Sequence, residues 1–307
     1  MGAALLFGGC IALQSRINGE LGRQLGDGYL AALISFGSGL VLLVGAMAVW
    51  RPGRVGLARV WSTVAERRVP AWYVLGGTAG AFFVLAQGLT ASVLGVALFT
   101  VATVSGQILS GLVIDRRGLG TMAASAPTVP RLIGSALVLV AVALAVSTRF
   151  QGDIPVWMLI MPLLVGVAVG WQQAVNGQVR IIANSVLTAT FVNFAVGTTV
   201  LAVAMLVHVL AGGVPRALPT EPWLYVGGLI GIVFIAGAAV AVRITGVLLL
   251  GLSTIAGQLL ISLVIDVAAP APGQEIAWTT IAGTAVAVIA VGIAAIPGRR
   301  MRPRPGA

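Results

Sequence analysis

Ten stretches of mostly apolar residues run along the chain, separated by short connections that carry glycine, proline and charged side chains. A helix needs about 20 predominantly apolar residues to cross the hydrocarbon core of a bilayer, and each stretch approaches that length. The pattern therefore predicts an all-α integral membrane protein with ten transmembrane helices. The predicted spans cover residues 2–21, 29–49, 71–90, 94–114, 131–148, 155–175, 186–209, 223–242, 246–265 and 277–296.

The connection between the second and third spans has a pattern of its own. Within residues 54–68, apolar side chains recur at helical spacing at Leu57, Val60, Trp61 and Val64, while the arginines fall elsewhere. This spacing predicts a short amphipathic helix on the cytoplasmic face of the membrane. A solvated basic loop is the alternative interpretation.

Composition agrees with a membrane location. Of the 307 residues, 59% are hydrophobic and only 8% are charged, and the mean hydropathy is +1.06. A soluble domain carries about 25% charged residues, so this chain cannot cover a water-facing exterior with charge. We therefore expect most of its exterior to contact the lipid bilayer.

The basic residues predict the orientation of the chain. All 18 are arginines, and with eight acids they give a net charge of +10. A basic balance can indicate nucleic acid, but these arginines lie between apolar runs, so we expect no nucleic-acid partner. With the N-terminus in the cytoplasm, 14 arginines fall inside and four fall outside or near the outer interface, as the positive-inside rule requires. Both termini are therefore expected to be cytoplasmic.

The second half of the chain repeats the first. Residues 1–150 and residues 151–307, the latter ending in a basic tail, each hold five predicted spans. Chance similarity between apolar helices would not place glutamine, asparagine and aspartate in register. Because five is an odd number, the second half must enter the membrane from the opposite side, which predicts two inverted-topology repeats. The matched residues include Gln14 with Gln172, Asn18 with Asn176, Phe36 with Phe194, Gly106 with Gly257, Gln107 with Gln258, Asp115 with Asp266 and Gly134 with Gly283.

Two segments of the first half resemble a known family. The run from Gly9 to Arg23, with its Leu-Gln, Asn-Gly and Leu-Gly-Arg elements, is followed by LISFxxG over Leu33 to Gly39. This combination resembles the YdcZ-type family of the drug/metabolite transporter superfamily, whose single-unit members look like one half of this chain. The resemblance covers nearly the whole chain as two fused units. It implies an EmrE-like transporter fold that carries small metabolites or toxic compounds in a bacterial inner membrane.

The first span departs from one pattern of that superfamily. Small multidrug resistance proteins use a glutamate in their first span to exchange protons for cationic drugs. The comparable polar positions here are Gln14 and Gln172, which do not ionise. The resemblance therefore does not imply proton exchange at a carboxylate.

Amide side chains inside the spans are the candidate substrate contacts. Gln14 and Asn18 are four residues apart and share a helix face, as do Gln172 and Asn176 in the second half. Polar groups in lipid are costly unless they face a partner or a cavity. The two faces could meet across a central cavity and bind a polar, neutral or zwitterionic solute, or a cation through oxygen atoms. The alternative is that the amides only join helices to each other.

Other polar positions leave similar alternatives open. Gln107 and Gln258 each follow a glycine near the middle of a span, and either bridge helices or face the cavity. Gln87 has Ala238 as its repeat counterpart, so a functional Gln87 would make the site asymmetric. Asn193, with its counterpart Ser35, is predicted to pack between helices.

Arg16 has an alanine, Ala174, as its counterpart, so the repeat does not explain it. Extension of its side chain to the membrane interface is one interpretation. The other is attraction of an anionic solute, or an ion pair with Glu20 four residues further on.

Side chains suited to catalysis or metal ligation are few. The single histidine, His208, is expected at the outer interface, and the single cysteine, Cys10, is expected to pack in an apolar run. The acids are expected in loops, with Asp266 outside the membrane in an acidic segment. The sequence has no CxxC, HExxH or GxxxxGK[ST] motif. We therefore predict no enzymatic activity, no cofactor and no metal.

These observations favour a secondary transporter of a small metabolite or drug-like solute, working by alternating access in the inner membrane. The expected partners are the lipid bilayer and the small-molecule solute. Fusion of two units in one chain makes a functional monomer plausible, and a homodimer stays open. The alternative is a membrane scaffold or accessory subunit that transports nothing.

Overall fold

The computed structural model describes residues 2–117, 128–147, 155–234, 247–270 and 276–296. These residues form helices, and none of the described ranges contains a β-strand. The principal helices are α1 (Gly2–Leu25), α2 (Gly28–Val49), α3 (Arg51–Ala65), α4 (Ala71–Leu94), α5 (Val96–Arg117), α6 (Val129–Val146), α7 (Val156–Ala183), α8 (Val186–Leu210), α9 (227–234), α10 (Val247–Ala268) and α11 (Trp278–Ala294).

Five of these helices, α2, α4, α5, α7 and α8, are long and apolar enough to cross a membrane. Apolar stretches of α6, α10 and α11 are shorter. A helix satisfies its backbone hydrogen bonds internally, which is the condition for crossing lipid. The first predicted span corresponds to α1, whose 24 residues include three charged side chains. The predicted eighth span and the start of the ninth fall partly on residues 235–246, outside the described ranges.

The structure confirms a helix in this connection, α3, although Trp61, predicted on its apolar face, is not part of the buried face. Its buried face holds Gly53, Gly56 and Val60, which pack against the end of α7 and the start of α8. A Cβ atom added to Gly56 would lie 2.6 Å from the Thr188 hydroxyl, so this face needs glycine for close approach. Trp61 on the other face is 77% exposed.

The helix starts of the two halves resemble each other. Asp27 caps α2, because its Oδ1 accepts hydrogen bonds from the Tyr29 and Leu30 backbone N–H groups at 2.8 and 3.0 Å. Its repeat counterpart, Ser185, caps α8 by accepting from the Thr188 N–H at 3.2 Å. Both caps satisfy helix N–H groups that would otherwise lack partners.

Helix α4 changes its winding along its length. It begins as a 3₁₀ segment, continues as an α-helix over Gly76–Ala86, forms a π-helical turn over Gln87–Ala91 and ends at Leu94. Gly95 then has a φ of +86°, which favours glycine. A π-turn inside an α-helix often lies at a functional site.

Helices from the first half pack on helices from the second. The contacts pair α1 with α10, α5 with α7, α2 with α8 and α6 with α11. Repeat-related glycines make these contacts in the same way. A methyl group on Gly106 would collide with the Leu163 carbonyl oxygen, and one on Gly257 would collide with the Leu5 carbonyl oxygen. Leu163 and Leu5 are themselves repeat counterparts.

Three details of the sequence interpretation need correction. The predicted sixth span ends at residue 175, but α7 continues to Ala183 because its later polar residues still form helical hydrogen bonds. The acids are not confined to loops, since Glu20 lies in α1 and Asp115 in α5. Asp266 lies in α10 and is only 2% exposed.

Candidate functional site

Two stacked phenylalanines lie between α2 and α8 at the contact between the halves. The Phe36 and Phe194 ring centroids are 4.7 Å apart with the ring planes inclined by 23°, and both side chains are buried. A Cβ atom on Gly80 would lie 3.0 Å from the tip of Phe36 and 2.6 Å from Gln172 Nε2. The counterpart, Gly231, faces Phe194 and Gln14 in the same way. Each ring therefore borders the amides of one half.

The first amide cluster consists of Gln14, Ser15, Asn18 and Gln87. Asn18 Nδ2 donates to Gln87 Oε1 at 2.7 Å, and Gln87 Nε2 donates to the Ser15 hydroxyl at 2.8 Å. The Ser15 hydroxyl in turn donates to the Ile11 carbonyl at 3.0 Å. Ser15, Asn18 and Gln87 have no exposed surface. This chain of bonds ties α1 to the π-turn of α4.

Gln14 links the two halves of the chain. Its Nε2 donates to the Gly227 carbonyl at 2.9 Å, and the side chain is 7% exposed. A Cβ atom on Gly227 would lie 2.8 Å from the Ser35 hydroxyl, so only glycine lets α9 approach this closely.

The second amide cluster consists of Gln172, Asn176 and Asn193. Gln172 Nε2 and Asn176 Nδ2 both donate to Asn193 Oδ1, at 2.8 and 3.1 Å. A Cβ atom on Gly76 would lie 2.6 Å from Asn176 Oδ1, so α4 lies directly against this cluster. Gln172 and Asn176 are half-buried, in contrast to the closed first cluster.

The structure groups the predicted amides within each half. No hydrogen bond joins the first cluster to the second among the described residues, and in this conformation Gln14 and Gln172 each bridge neighbouring helices. Sequence reasoning assigned Asn193 to packing, yet it accepts both bonds of the second cluster. Its repeat counterpart, Ser35, is also polar, and this is the sequence feature that could have assigned Asn193 to the amide cluster.

The other predicted amides lie apart from the clusters. Gln258 is 1% exposed, and its Nε2 has no hydrogen-bond partner within the described part of the chain. Gln107 is half-buried on α5. An unpartnered amide group in a buried position is costly, so Gln258 is the stronger candidate of the two for binding a further polar group.

Asp266 joins α10 to the start of α5 across the two halves. Its carboxylate accepts hydrogen bonds from the Val96 and Ala97 backbone N–H groups at 3.0 and 2.7 Å. These are N–H groups of the first turn of α5, which lack a partner within the helix. Asp266 therefore caps a helix of the other half, a role that its position in the sequence does not reveal.

Comparison with known families identifies the family to which the chain belongs. A family model described as "Putative inner membrane exporter, YdcZ" matches residues 1–144 and matches again at residues 157–293. The chain belongs to the YdcZ family. No curated protein matches the chain. The apolar helices and this family together make it a membrane-embedded protein of an inner-membrane exporter family.

Each YdcZ match covers one half of the chain, and each half contributes one amide cluster and one phenylalanine of the central stack. The resemblance drawn from Gly9–Arg23 and Leu33–Gly39 is thus confirmed at the level of the family. Asn18 and Asn176 lie at equivalent places in the two matched segments.

In this YdcZ protein, an ion pair between Glu20 and Arg23 lies near the C-terminal end of α1. The direct partners of Glu20 differ from the predicted one: Glu20 accepts from Arg23 Nε at 2.8 Å and from Gln24 Nε2 at 2.9 Å, while Arg16 attracts it only at longer range. Arg23 is three residues from Glu20, and a helix brings that spacing together as readily as a spacing of four. Arg16 is half-buried and makes no hydrogen bond or ion pair with another described residue.

His208 has a closer partner than the interfacial interpretation suggested. Its Nε2 lies 3.2 Å from Asp27 Oδ2, and its ring stacks on Tyr29 with the centroids 4.5 Å apart. The Arg216 N–H also donates to the Leu25 carbonyl at 2.8 Å. These contacts hold the end of α8 and the segment after it against the turn between α1 and α2.

No group of three or more His, Cys, Asp or Glu side chains suited to a metal ion occurs within the described ranges. Cys10 is a free cysteine, half-buried on α1. The amide clusters themselves are built from uncharged groups, which can both donate and accept hydrogen bonds.

Proposed function

We propose that this protein is a secondary transporter that moves a small metabolite or drug-like solute across the inner membrane by alternating access between its two halves. The double match of an inner-membrane exporter family, once to each half, carries this proposal. A chain with two copies of one unit can place them on either side of a transport pathway.

The proposed architecture has ten spans, five in residues 1–150 and five in residues 151–307, with both termini cytoplasmic. An odd number of spans in each half gives the halves opposite orientations, and the arginine distribution agrees. The two halves are then related by a pseudo-twofold axis in the membrane plane.

Reciprocal contacts support the twofold relation. A methyl group on Gly39 would collide with Phe194, and one on Gly197, its counterpart, would collide with Phe36. A contact between residue i of one half and residue j of the other recurs with the halves exchanged, which is the signature of a twofold axis. In the same way, Cβ atoms on Gly134 and Gly283 would each lie 2.7 Å from a carbonyl oxygen of the opposite half.

The proposed substrate contacts are the amides at the junction of the halves. Gln172 and Asn176 are the first candidates, because they are half-buried while Gln14 and Asn18 are closed off. In the opposite state the two pairs exchange roles. The remaining candidates are Gln107, Gln258 and Arg16. Amides suit a polar solute that is uncharged or zwitterionic, or a cation bound through oxygen atoms.

Solute flux into proteoliposomes tests this function. The matched pair of variants is Gln172→Leu and Gln173→Leu, since Gln173 is the exposed neighbour that points away from the cluster. For a solute that the unmodified protein carries, we expect Gln172→Leu to lower flux about tenfold, equivalent to about 1.4 kcal/mol. We expect Gln173→Leu to leave flux unchanged.

A scaffold or accessory subunit is the second candidate function. The observation that favours it is that Gln14 and Gln172 both bridge helices in this conformation. Folded protein that carries no solute from a broad panel, together with normal cellular function of the Gln14→Leu and Gln172→Leu variants, would support the scaffold over the transporter.

A further inference from the structure

We propose that Asn18, Gln87 and Ser15 form a one-sided latch, a hydrogen-bond chain within the first half that holds α1 against the π-turn of α4, and that this half opens its side of the transport pathway by separating these two helices. The inference rests on the proposed alternating access, since it names the contact that makes one of the two states the more stable. It assigns to Gln87 a positioning role in the conformational cycle rather than a substrate contact.

The latch is fully buried. The Asn18–Gln87 bond of 2.7 Å and the Gln87–Ser15 bond of 2.8 Å join side chains with no exposed surface. Because water does not reach these groups, opening the junction leaves three polar side chains to be hydrated or rebonded. The bonds therefore resist separation of α1 from α4.

The backbones at the latch are in close contact as well. A methyl group on Gly22 would collide with the Gly88 carbonyl oxygen. A Cβ atom on Gly19 would lie 3.0 Å from the Ala91 Cβ atom, and one on Gly28 would lie 2.6 Å from Leu89. The π-turn thus fits against three glycines of the first two helices, and the junction has no room for solute.

The second half does not carry the same side chains. The repeat counterpart of Gln87 is Ala238, whose methyl group neither donates nor accepts a hydrogen bond. The counterpart of Ser15 is Gln173, which is exposed, and Asn176, the counterpart of Asn18, bonds to Asn193 instead. One closed state therefore has two interhelical bonds that its repeat-exchanged equivalent cannot form with the corresponding residues.

This asymmetry predicts unequal populations of the two states. Interhelical hydrogen bonds in membranes contribute modestly, so two of them shift a conformational equilibrium by about tenfold. Without substrate, the protein is held mainly in the state closed by the first amide cluster, and transport requires the latch to open in each cycle.

Hydrogen–deuterium exchange of the full-length protein in lipid nanodiscs tests the latch, because exchange reports the population of open forms. We expect Gln87→Met, which preserves side-chain length, to raise the exchange rate of residues 15–25 and 87–94 about tenfold. Ser15→Ala removes one interhelical bond and is expected to raise the exchange rate about threefold. Residues 129–146 of α6, which packs on α5 and α11, serve as the internal reference and should not change.

Thr90→Val is the matched control, because Thr90 is equally buried in the same π-turn but bonds only to the Ala86 carbonyl of its own helix. It should leave exchange in the two segments near the level of the unmodified protein. Unchanged exchange in both Gln87→Met and Ser15→Ala would overturn the latch, as would an equal effect of Thr90→Val. If Gln87→Met does not fold, Ser15→Ala against Thr90→Val decides.

The exchange measurement needs no cargo, so it separates the latch from the transporter proposal. Faster exchange in the latch variants combined with no solute flux supports the latch and counts against transport. Unchanged exchange in the latch variants combined with solute flux that depends on Gln172 supports transport and counts against the latch.

Discussion

Phe36 and Phe194 are repeat counterparts that stack on each other, with 4.7 Å between their ring centroids, and each also covers the glycine three residues after the other. Two equivalent residues that touch each other in this way lie close to the twofold axis that we propose between the halves. The stack therefore supports that proposal and gives the position of the proposed axis.

Because their environments are equivalent, Phe36→Ala and Phe194→Ala should destabilise the protein by similar amounts. We expect about 3–5 kcal/mol for each, mainly from lost packing. Reversible unfolding in mixed detergent micelles measures the change. Leu42→Ala, at a 49% exposed position on α2, is the control and should change stability little. A loss of stability in only one of the two variants would contradict the equivalence of the Phe36 and Phe194 environments.

The close approach of α5 to α7 and of α1 to α10 predicts a second matched pair. Gly106→Ala and Gly257→Ala each introduce a methyl group that collides with a leucine carbonyl oxygen of the other half. Overpacking of this kind costs about 1–3 kcal/mol.

Gly111→Ala, on the same helix as Gly106, has nothing within 4 Å of the added methyl group. It should be neutral or slightly stabilising, because alanine favours helix formation over glycine. Thermal unfolding of the three variants in one detergent compares them. An equal loss of thermal stability in Gly111→Ala would show that helix flexibility, and not contact between the halves, determines the effect of these substitutions.

The cap that Asp266 provides to α5 predicts a graded series. Asp266→Ala removes both acceptor oxygens from the Val96 and Ala97 N–H groups and should cost about 1–2 kcal/mol. Asp266→Asn keeps one acceptor oxygen and should cost less. Hydrogen exchange of the backbone amides at the start of α5 should be faster in Asp266→Asn and fastest in Asp266→Ala. An unchanged exchange rate in Asp266→Ala would exclude the capping role.

The helices could largely be predicted from sequence because apolar length is a local property. Runs of about 20 apolar residues identified α2, α5 and α8 to within a few residues, and apolar spacing identified α3. The end of α7 was missed because the polar residues after position 171 break the apolar run, although the backbone remains helical.

The candidate site was predictable in part. Register between the halves identified Gln14, Asn18, Gln172 and Asn176, because polar residues at repeated positions in apolar helices are unlikely to arise by chance. Their partners could not be predicted in the same way. Gln87 meets Asn18 only because the π-turn of α4 packs on α1, which is a property of the folded protein.

Charged partners were hard to predict for a related reason. In the sequence, Asp266 resembles an acid in a loop. In the folded protein, α5 of the other half begins next to it, and the Val96 N–H donates to its carboxylate. A cap between helices of different halves depends on tertiary contacts that leave no local pattern in the sequence.

Opposite orientation of the two halves is the central claim, and thiol labelling in intact cells tests it most directly. In a Cys10→Ala background, single cysteines replace Arg117 at the end of α5 and Ala269 just after α10, both exposed positions. A membrane-impermeant maleimide should label the cysteine at position 269 in intact cells, and the one at position 117 only after permeabilisation. Labelling of both positions from the same side would contradict the inverted arrangement.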